Sequence, residues 1–140
     1  MIKKVYEYFI ARLNYEEVND YTKILNEEEL KLFNLMNKYD KLHSINVYKG
    51  ISKTNLDKKY LKLALLHDIG KEKAGFIIRV LHKIGFKTRL RNHALNGYNL
   101  VKDIDLEVAN LILIHHNKDV DDNMKIFQGV DDVNWRKYRK

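Results

Sequence analysis

Apolar residues recur every three or four positions along most of the chain, which is the spacing of one face of an α-helix. The resulting stripes predict helices in the ranges 2–13, 18–25, 27–35, 39–51, 56–67, 76–84, 90–101, 108–114 and 124–135. Two runs, 61–66 and 108–114, are apolar on almost every side, so we expect them to be the central helices. No proline interrupts any stripe. The pattern therefore predicts an all-α fold, a compact helical bundle.

Polar residues and glycines at the edges of the stripes predict where several helices begin and end. Asn26, which three glutamates follow, is typical of an N-cap with an acidic first turn, and Asp105 is a second N-cap candidate. Glycine favours helix C-termini, so we expect Gly50, Gly70 and Gly85 to close the helices that precede them. The chain is thus divided into helices without an internal repeat, a low-complexity segment or a linker.

The composition narrows the class of protein. The 140 residues fit one domain, and an apolar share of 45% is enough for a sizeable core. The absence of cysteine excludes a disulfide scaffold, a thiolate metal site and a cysteine nucleophile. No apolar run approaches the roughly 20 residues that a membrane-spanning helix needs, and the N-terminus lacks an apolar signal core. We therefore expect a cytoplasmic protein that has no membrane partner.

The charge balance favours anionic partners. Lysine and arginine outnumber aspartate and glutamate by 26 to 19, which gives a net charge of +7. Nucleotides, nucleic acid and phosphorylated metabolites are partners of this kind. The lysines are scattered, and only the tail 135–140 interleaves basic with aromatic residues. Nucleic-acid contact is one interpretation of that tail. A solvated, fraying C-terminus explains it more simply, so nucleic acid is not the favoured partner.

Histidines stand at selected places in this pattern. His67 and Asp68 follow the first of the two central helices, and His115 and His116 follow the second. Burying imidazoles and a carboxylate at the end of an apolar helix is costly unless a partner compensates them. For one His-Asp pair alone, a hydrogen-bonded dyad is the commoner explanation. For the whole set a divalent metal is the more economical partner, because first-row metals prefer imidazole and carboxylate ligands.

Three further residues lie on the apolar stripes of other helices and are expected to point inward. These are His43, His93 and Asp131. Gly97 follows His93 by four residues, and we expect its missing side chain to leave room beside the imidazole. Together these helices offer ligands to one interior, which is how helical bundles build metal sites. His82 has no acidic neighbour at helical spacing and is interpreted as an ordinary histidine.

The ordered set of these residues resembles the HD-domain superfamily of metal-dependent phosphohydrolases. The residues that carry the resemblance are His43, His67-Asp68-Ile69-Gly70-Lys71, His93 with Gly97, His115-His116 and Asp131. The family pattern is a histidine, an adjacent His-Asp pair, further histidines and a late aspartate, all on helices of an all-α fold. The resemblance covers about 25–134. It implies one HD domain over 1–140, with a helical extension at 1–24, the HD core at 25–134 and a basic tail at 135–140.

The resemblance implies a metal centre. The positions that match its core ligands are His43, His67, Asp68 and Asp131, and Asp68 would bridge two metals if two are present. The positions that match additional ligands of HD proteins with two or more metals are His93 and either or both of His115 and His116. Asp132 is the alternative late ligand, but the run Phe-Gln-x-Val-Asp favours Asp131. A set rich in imidazole favours Mn, Fe, Co, Ni or Zn over Mg, so the expected cofactor is one or two divalent transition-metal ions.

The resemblance also implies residues that act on a substrate. Asp68 would be catalytic as the bridging carboxylate, and Lys71 matches a lysine that faces substrate phosphate in several subfamilies. The alternative for Lys71 is a solvated lysine near a helix C-terminus. Together with Lys71, the basic residues Lys87, Arg89 and Arg91 would neutralise charge on the phosphates of a bound substrate.

Two departures from the family narrow the assignment. The Gly-Tyr-Pro motif of the HD-GYP phosphodiesterases is missing, and no Glu-Asp pair of the alarmone-hydrolase kind follows His67-Asp68. The resemblance implies a phosphohydrolase that cleaves a phosphoester or phosphoanhydride of a nucleotide-type small molecule by metal-activated water. A regulatory module that binds metal and nucleotide without turnover is the alternative. A third hypothesis, a basic nucleic-acid-associated protein, leaves the placement of the histidines unexplained.

Overall fold

The computed structural model of the protein describes residues 15–72 and 93–136, and all regular elements in these two ranges are α-helices. Their bounds are α1 (Tyr15–Thr22), α2 (Glu27–Asn34), α3 (Lys38–Ser52), α4 (Lys58–Leu66), α5 (Ile69–Glu72), α6 (His93–Val101), α7 (Leu106–Ile114) and α8 (Asp122–Arg136). The predicted all-α fold is confirmed. The predictions that lie outside the described residues concern 2–13, 76–84, Gly85, His82, Lys87, Arg89, Arg91 and 137–140.

Local hydrogen bonds show why two of the helices begin where they do. The Asn26 side chain accepts a hydrogen bond of 2.8 Å from the Glu29 backbone N–H, and Glu29 accepts one of 2.9 Å from the Asn26 backbone N–H. This reciprocal capping box satisfies two backbone donors at the start of α2. At the start of α7, Asp105 accepts a hydrogen bond of 3.2 Å from the backbone N–H of Val108. Both predicted N-caps are therefore confirmed.

Helix α4 is the central helix, as predicted. Leu63, Leu65 and Leu66 have no exposed surface, and the helix packs against α3 and α7. Full burial of a leucine side chain stabilises a fold by about 1.5–3 kcal/mol, so this short helix contributes strongly to the core. Part of the predicted extension also packs on the bundle, because the Tyr21 ring of α1 lies 5.2 Å from that of Tyr48 on α3, between centroids.

Helix α7 is buried on one face only, so its prediction as a second central helix is wrong. Val108 and Ile112 belong to the core, whereas Leu106 is 56% exposed and Leu113 is 37% exposed. The reason is that α7 packs with one side against α4 and α6. The residues of its continuous apolar run are therefore split between the core and the surface.

Three of the described glycines serve contacts between helices rather than helix ends. Gly70 lies inside α5, where a Cβ atom would clash with the carbonyl oxygen of His93 and lie 2.7 Å from the backbone nitrogen of Gly97. A Cβ atom at Gly97 would lie 2.8 Å from a methyl group of Ile112, so this space holds Ile112 rather than the His93 imidazole. Gly50 lies within α3, two residues before its end, and a Cβ atom there would lie 2.5 Å from Val130. Gly70 and Gly97 thus let α5, α6 and α7 pack closely together, and Gly50 does the same for α3 and α8.

Candidate metal centre

The two apolar helices end at the same place in the bundle. His67 and Asp68 form the turn after α4, and His115 and His116 form the turn after α7. The other helices bring in His43 from α3, His93 from the start of α6 and Asp131 from α8. The structure thus brings together all the residues that the sequence predicts as ligands. Asp131 is 6% exposed and points into this cluster, whereas its neighbour Asp132 is exposed.

One group of side chains lies at the bottom of the cluster. His43 and His67 have no exposed surface, and Asp68 is 1% exposed. Nε2 of His43 lies 2.7 Å from Oδ1 of Asp131 and 3.8 Å from Oδ2 of Asp68. Nε2 of His67 lies 3.2 Å from each of the same two carboxylate oxygens. Two carboxylates and two imidazoles therefore converge on one buried point.

A second group lies next to the first. Nε2 of His93 is 3.0 Å from Nε2 of His116, and the His115 and His116 rings lie 4.0 Å apart between centroids. Ligand atoms of the three imidazoles lie within 4.8 Å of one another, as do those of His43, His67 and Asp68. Asp68 faces both groups, since its other oxygen, Oδ1, lies 3.9 Å from Nε2 of His93. Asp68 therefore presents one carboxylate oxygen to each of the two groups.

Backbone carbonyls orient two of the imidazoles. Nδ1 of His67 lies 2.8 Å from the carbonyl oxygen of Ala64, and Nδ1 of His115 contacts the carbonyl oxygen of Ile112. A carbonyl oxygen only accepts hydrogen bonds, so in each ring Nδ1 carries the proton and donates it. When these rings are neutral, their Nε2 lone pairs face the centre of the cluster, which is the arrangement that metal-ligating histidines use.

The donor set fits a divalent cation. Within the described part of the chain, Nε2 of His115 is buried and has no hydrogen-bond partner. Nε2 of His67 and Oδ2 of Asp68 are also buried, and their contact of 3.2 Å lacks the geometry of a hydrogen bond. Buried polar atoms of this kind are costly unless something satisfies them. Ligand atoms around one ion, at about 2.0–2.2 Å from it, lie roughly 3–4.4 Å from one another, close to the spacing within both groups.

The pKa shifts of the clustered side chains agree with a site for a cation. Burial lowers the pKa of His115 to about 3 and that of His93 to about 4, so both imidazoles are neutral near pH 7 and can bind metal. Burial raises the pKa values of Asp68 and Asp131, but His67 outweighs it and holds them well below their usual range. Burial also lowers the pKa of His67, yet the two carboxylates raise it well above its ordinary value. The site therefore stabilises positive charge at the place where an ion would lie.

A cavity of about 880 Å³ opens above the cluster, and we call it the metal pocket. Its lining residues are Lys71, His93, His115, His116, Asn117, Lys118, Gln128, Gly129, Asp131 and Asp132. Nζ of Lys71 lies 3.6 Å from Oδ1 of Asp68, and the Lys71 side chain is 34% exposed. The ammonium group of Lys71 therefore lies between the buried carboxylate and the open pocket. Arg89 and Arg91, which the sequence also predicts to contact substrate, lie outside the described residues.

Sequence reasoning missed four residues of this pocket, which are Asn117, Lys118, Gln128 and Gly129. The Gln128 side-chain amide donates hydrogen bonds of 3.1 Å to the carbonyl oxygen of His115 and 2.7 Å to that of Asn117. It thus ties the turn that carries the paired histidines to α8, which carries Asp131. The available signal is its spacing, since Gln128 lies three residues before Asp131 and so on a neighbouring part of the same helix surface.

Comparison with known families agrees with this geometry. The family model described as HD domain matches residues 42–135, about two thirds of the chain, and this range contains every residue of the cluster. Neither the curated proteins nor the solved structures include a significant match. No helix of the described residues is long and apolar enough to cross a membrane. The chain belongs to the HD domain family, whose members bind divalent metals and are generally phosphohydrolases.

Proposed function

We propose that the protein is a metal-dependent phosphohydrolase that cleaves a phosphoester or phosphoanhydride bond of a nucleotide-type substrate. The observation that carries this proposal is the buried cluster of imidazoles and carboxylates at the bottom of an open pocket. Family membership supports the general activity, and the residues of the pocket support the class of substrate.

The cluster has places for two ions. His43, His67, Asp68 and Asp131 would hold the first, and His93, His115 and His116 would hold the second, with Asp68 between them. Imidazole-rich sets favour Mn, Fe, Co, Ni or Zn over Mg. When bound, such ions supply Lewis acidity, which polarises phosphoryl oxygens and makes a water molecule acidic enough to act as nucleophile near neutral pH.

The protein's own groups have distinct tasks in this reaction. The carbonyl oxygens of Ala64 and Ile112 hold the His67 and His115 rings so that their Nε2 atoms face the centre. Lys71 and Lys118 place two positive charges in the pocket, where they would stabilise the charge that builds up on the phosphoryl oxygens. Arg89 and Arg91 remain proposed phosphate contacts. Asp68 orients both groups of ligands and is the residue whose loss would be most damaging.

The size and charge of the pocket favour a nucleotide. A volume of about 880 Å³ lies in the range of small-molecule sites, which is roughly 300–1,000 Å³. A net charge of +7 attracts a phosphorylated substrate to the protein. The pocket also offers the side-chain amide of Asn117 and the amide oxygen of Gln128 beside its lysines, and such groups are suited to hydrogen bonds with a base or a sugar.

The proposal is tested by metal analysis and a substrate panel on one preparation. Elemental analysis should find one or two first-row ions per chain, and a panel of nucleotides and generic phosphoesters should be cleaved with Mn²⁺ or Fe²⁺ added. Asp68→Asn, which keeps the size of the side chain, should be inactive and metal-poor. Binding of metal and nucleotide without turnover would favour the regulatory module instead, and absence of metal binding would refute both.

A further inference from the structure

Gly129 has no packing reason to be a glycine. It lies in the middle of α8 and is exposed, and a Cβ atom built there would have no heavy atom of the described residues within 4 Å. Gly50, Gly70 and Gly97 differ, because each lies against a neighbouring helix. A glycine in an exposed helix interior is less stable than alanine, so the fold gains nothing from it. Its reason must therefore be sought on the surface.

Gly129 separates two cavities. On one flank of α8 it lines the metal pocket together with Gln128 and Asp132. On the other flank it lines a second cavity of about 730 Å³ between α3 and α8, together with Val130 and Val133. We call this second cavity the lysine groove. Because residue 129 has no side chain, nothing at this position projects between the two cavities. A ligand can therefore pass over α8 here.

The lysine groove combines positive charge with apolar surface. Its lining residues are Asn46, Lys49, Gly50, Lys53, Lys125, Ile126, Gly129, Val130, Val133 and Asn134. None of these described residues is acidic. Ile126 and Val133, which are 46% and 57% exposed, lie among the lysine side chains of α3 and α8. Lysines bind phosphates as point charges, and apolar surface accepts the faces of bases or sugars.

We propose that the substrate is a short single-stranded oligonucleotide that crosses Gly129 from the metal pocket into the lysine groove. This inference rests on the proposed function, and it extends the substrate from one nucleotide to a linked series. The scissile phosphate lies at the metal centre, and the following phosphates contact Lys53 and Lys125. In the reaction a water oxygen forms a bond to phosphorus, the bond from phosphorus to one sugar oxygen breaks, and a proton from the water ends on the leaving hydroxyl group.

The first test reverses charge in the groove and compares it with an equal change elsewhere. The variant is K53E/K125E, and the control is K31E/K102E, which alters two exposed lysines that line neither cavity. The probe is a fluorescein-labelled phosphorothioate tetranucleotide, whose binding to Mn²⁺-loaded protein is followed by anisotropy. We expect K53E/K125E to weaken binding about tenfold or more and to reduce the slope of log Kd against log salt by about 1.4, for two lost phosphate contacts. The control should change the affinity far less.

The second test closes the passage with Gly129→Leu. Leucine is a better helix former than glycine, and its Cβ atom would meet no described residue within 4 Å, so the melting temperature should rise. The ratio of kcat/KM for the tetranucleotide to kcat/KM for bis(p-nitrophenyl) phosphate should fall, because only the longer substrate must cross residue 129. A lower ratio together with a higher melting temperature would show that Gly129→Leu blocks binding of the longer substrate and does not damage the fold.

Each outcome decides the proposal. Equal effects of K53E/K125E and K31E/K102E would overturn it, as would a tetranucleotide that binds no more tightly than a mononucleotide. Competition by polyglutamate as strong as by the oligonucleotide would overturn it in favour of an acidic peptide. If the wild-type protein binds the tetranucleotide in the groove but hydrolyses no phosphoester with any metal, the proposed function fails while the binding site stands.

Discussion

Two buried polar clusters involve α4 and the turn that follows it, and they are built in opposite ways. At the middle of α4, Lys62 lies 3.1 and 3.3 Å from the two carboxylate oxygens of Glu29, which has no exposed surface. The same ammonium group lies 3.3 Å from Asp105. After the end of α4, His67 and Asp68 belong to the metal centre. We call the first the lysine cluster; it joins the N-termini of α2 and α7 to the central helix.

The difference is the source of the cation. In the lysine cluster the chain supplies it, and Glu29 is satisfied further by the backbone N–H of Asn26. Burial lowers the pKa of Lys62, but Glu29 and Asp105 outweigh it, so the net pKa shift is upward and Lys62 stays charged. In the candidate metal centre the described chain places imidazoles around Asp68 and Asp131 and leaves three buried atoms without a hydrogen bond. One cluster is complete when the chain folds, whereas the other has a donor set that could hold an ion from solution.

The largest expected effect is that of metal on stability. Protein stripped by a chelator and returned to Mn²⁺ or Zn²⁺ should gain about 4 kcal/mol in its free energy of unfolding at a thousandfold excess over Kd. The reason is that the ion satisfies buried atoms of the folded protein alone. Chemical denaturation with and without metal measures the gain. Asp68→Asn is the control and should gain little, and an equal gain in this variant would contradict the metal centre.

The stability of the lysine cluster should depend on its own lysine and not on added metal. Lys62→Met leaves Glu29 buried without its cation, and we expect a loss of about 3 kcal/mol in the free energy of unfolding with metal content unchanged. Lys59→Met removes a more exposed contact from the same helix, 3.2 Å from Glu107, and should cost much less. Adding Glu29→Gln to Lys62→Met should recover part of the loss, which denaturation of all four proteins would show. Metal loss in Lys62→Met would mean that the two clusters are coupled.

The comparison also shows which parts of the molecule can be predicted from the sequence. The ligand cluster is predictable because its signals are local: paired residues stand directly after apolar helices, and His43 and Asp131 lie on apolar stripes. The caps at Asn26 and Asp105 are local as well. The burial of Glu29 is not, because its partner Lys62 is 33 residues away and is one of many lysines.

The wrong or missing predictions have the same cause, which is contact with residues that are distant in the sequence. Gly70 has the sequence signal of a helix end, but its task is set by the backbone of α6, which packs against it. The apolar run of α7 looks central, but only its packing partners decide which of its faces is covered. Lys118 and Gln128 enter the pocket because of where the turn after α7 meets α8. Tertiary neighbours of this kind leave no periodic signal in the sequence.

A smaller effect, on catalysis rather than on stability, is expected at the edge of the metal centre. Lys71→Ala should lower kcat/KM by about 2–3 kcal/mol, because a charge that faces the phosphoryl group is lost. Metal content and melting temperature should stay near those of the wild type, because the Lys71 side chain is partly exposed and is not a ligand. Steady-state kinetics and elemental analysis on the same preparation measure both. An unchanged kcat/KM would make Lys71 a solvated lysine, and lost metal would mean that it orders the turn at His67.

The smallest expected effect concerns the hydrogen bonds by which Gln128 joins α8 to the turn with the paired histidines. Gln128→Leu removes the two hydrogen bonds to the carbonyl oxygens of His115 and Asn117, so the turn that carries His115 and His116 is held less firmly. Partners that orient metal ligands typically account for about 10–100-fold in metal affinity, and we expect the lower end, about tenfold. Only the second ion should be affected, because His43, His67 and Asp131 are positioned by other contacts. Metal titration followed by calorimetry would resolve the two ions. Gln128→Glu should be at least as harmful, because a carboxylate cannot donate to a carbonyl oxygen, and a variant that binds metal like the wild type would show that hydrogen-bond donation is not the cause.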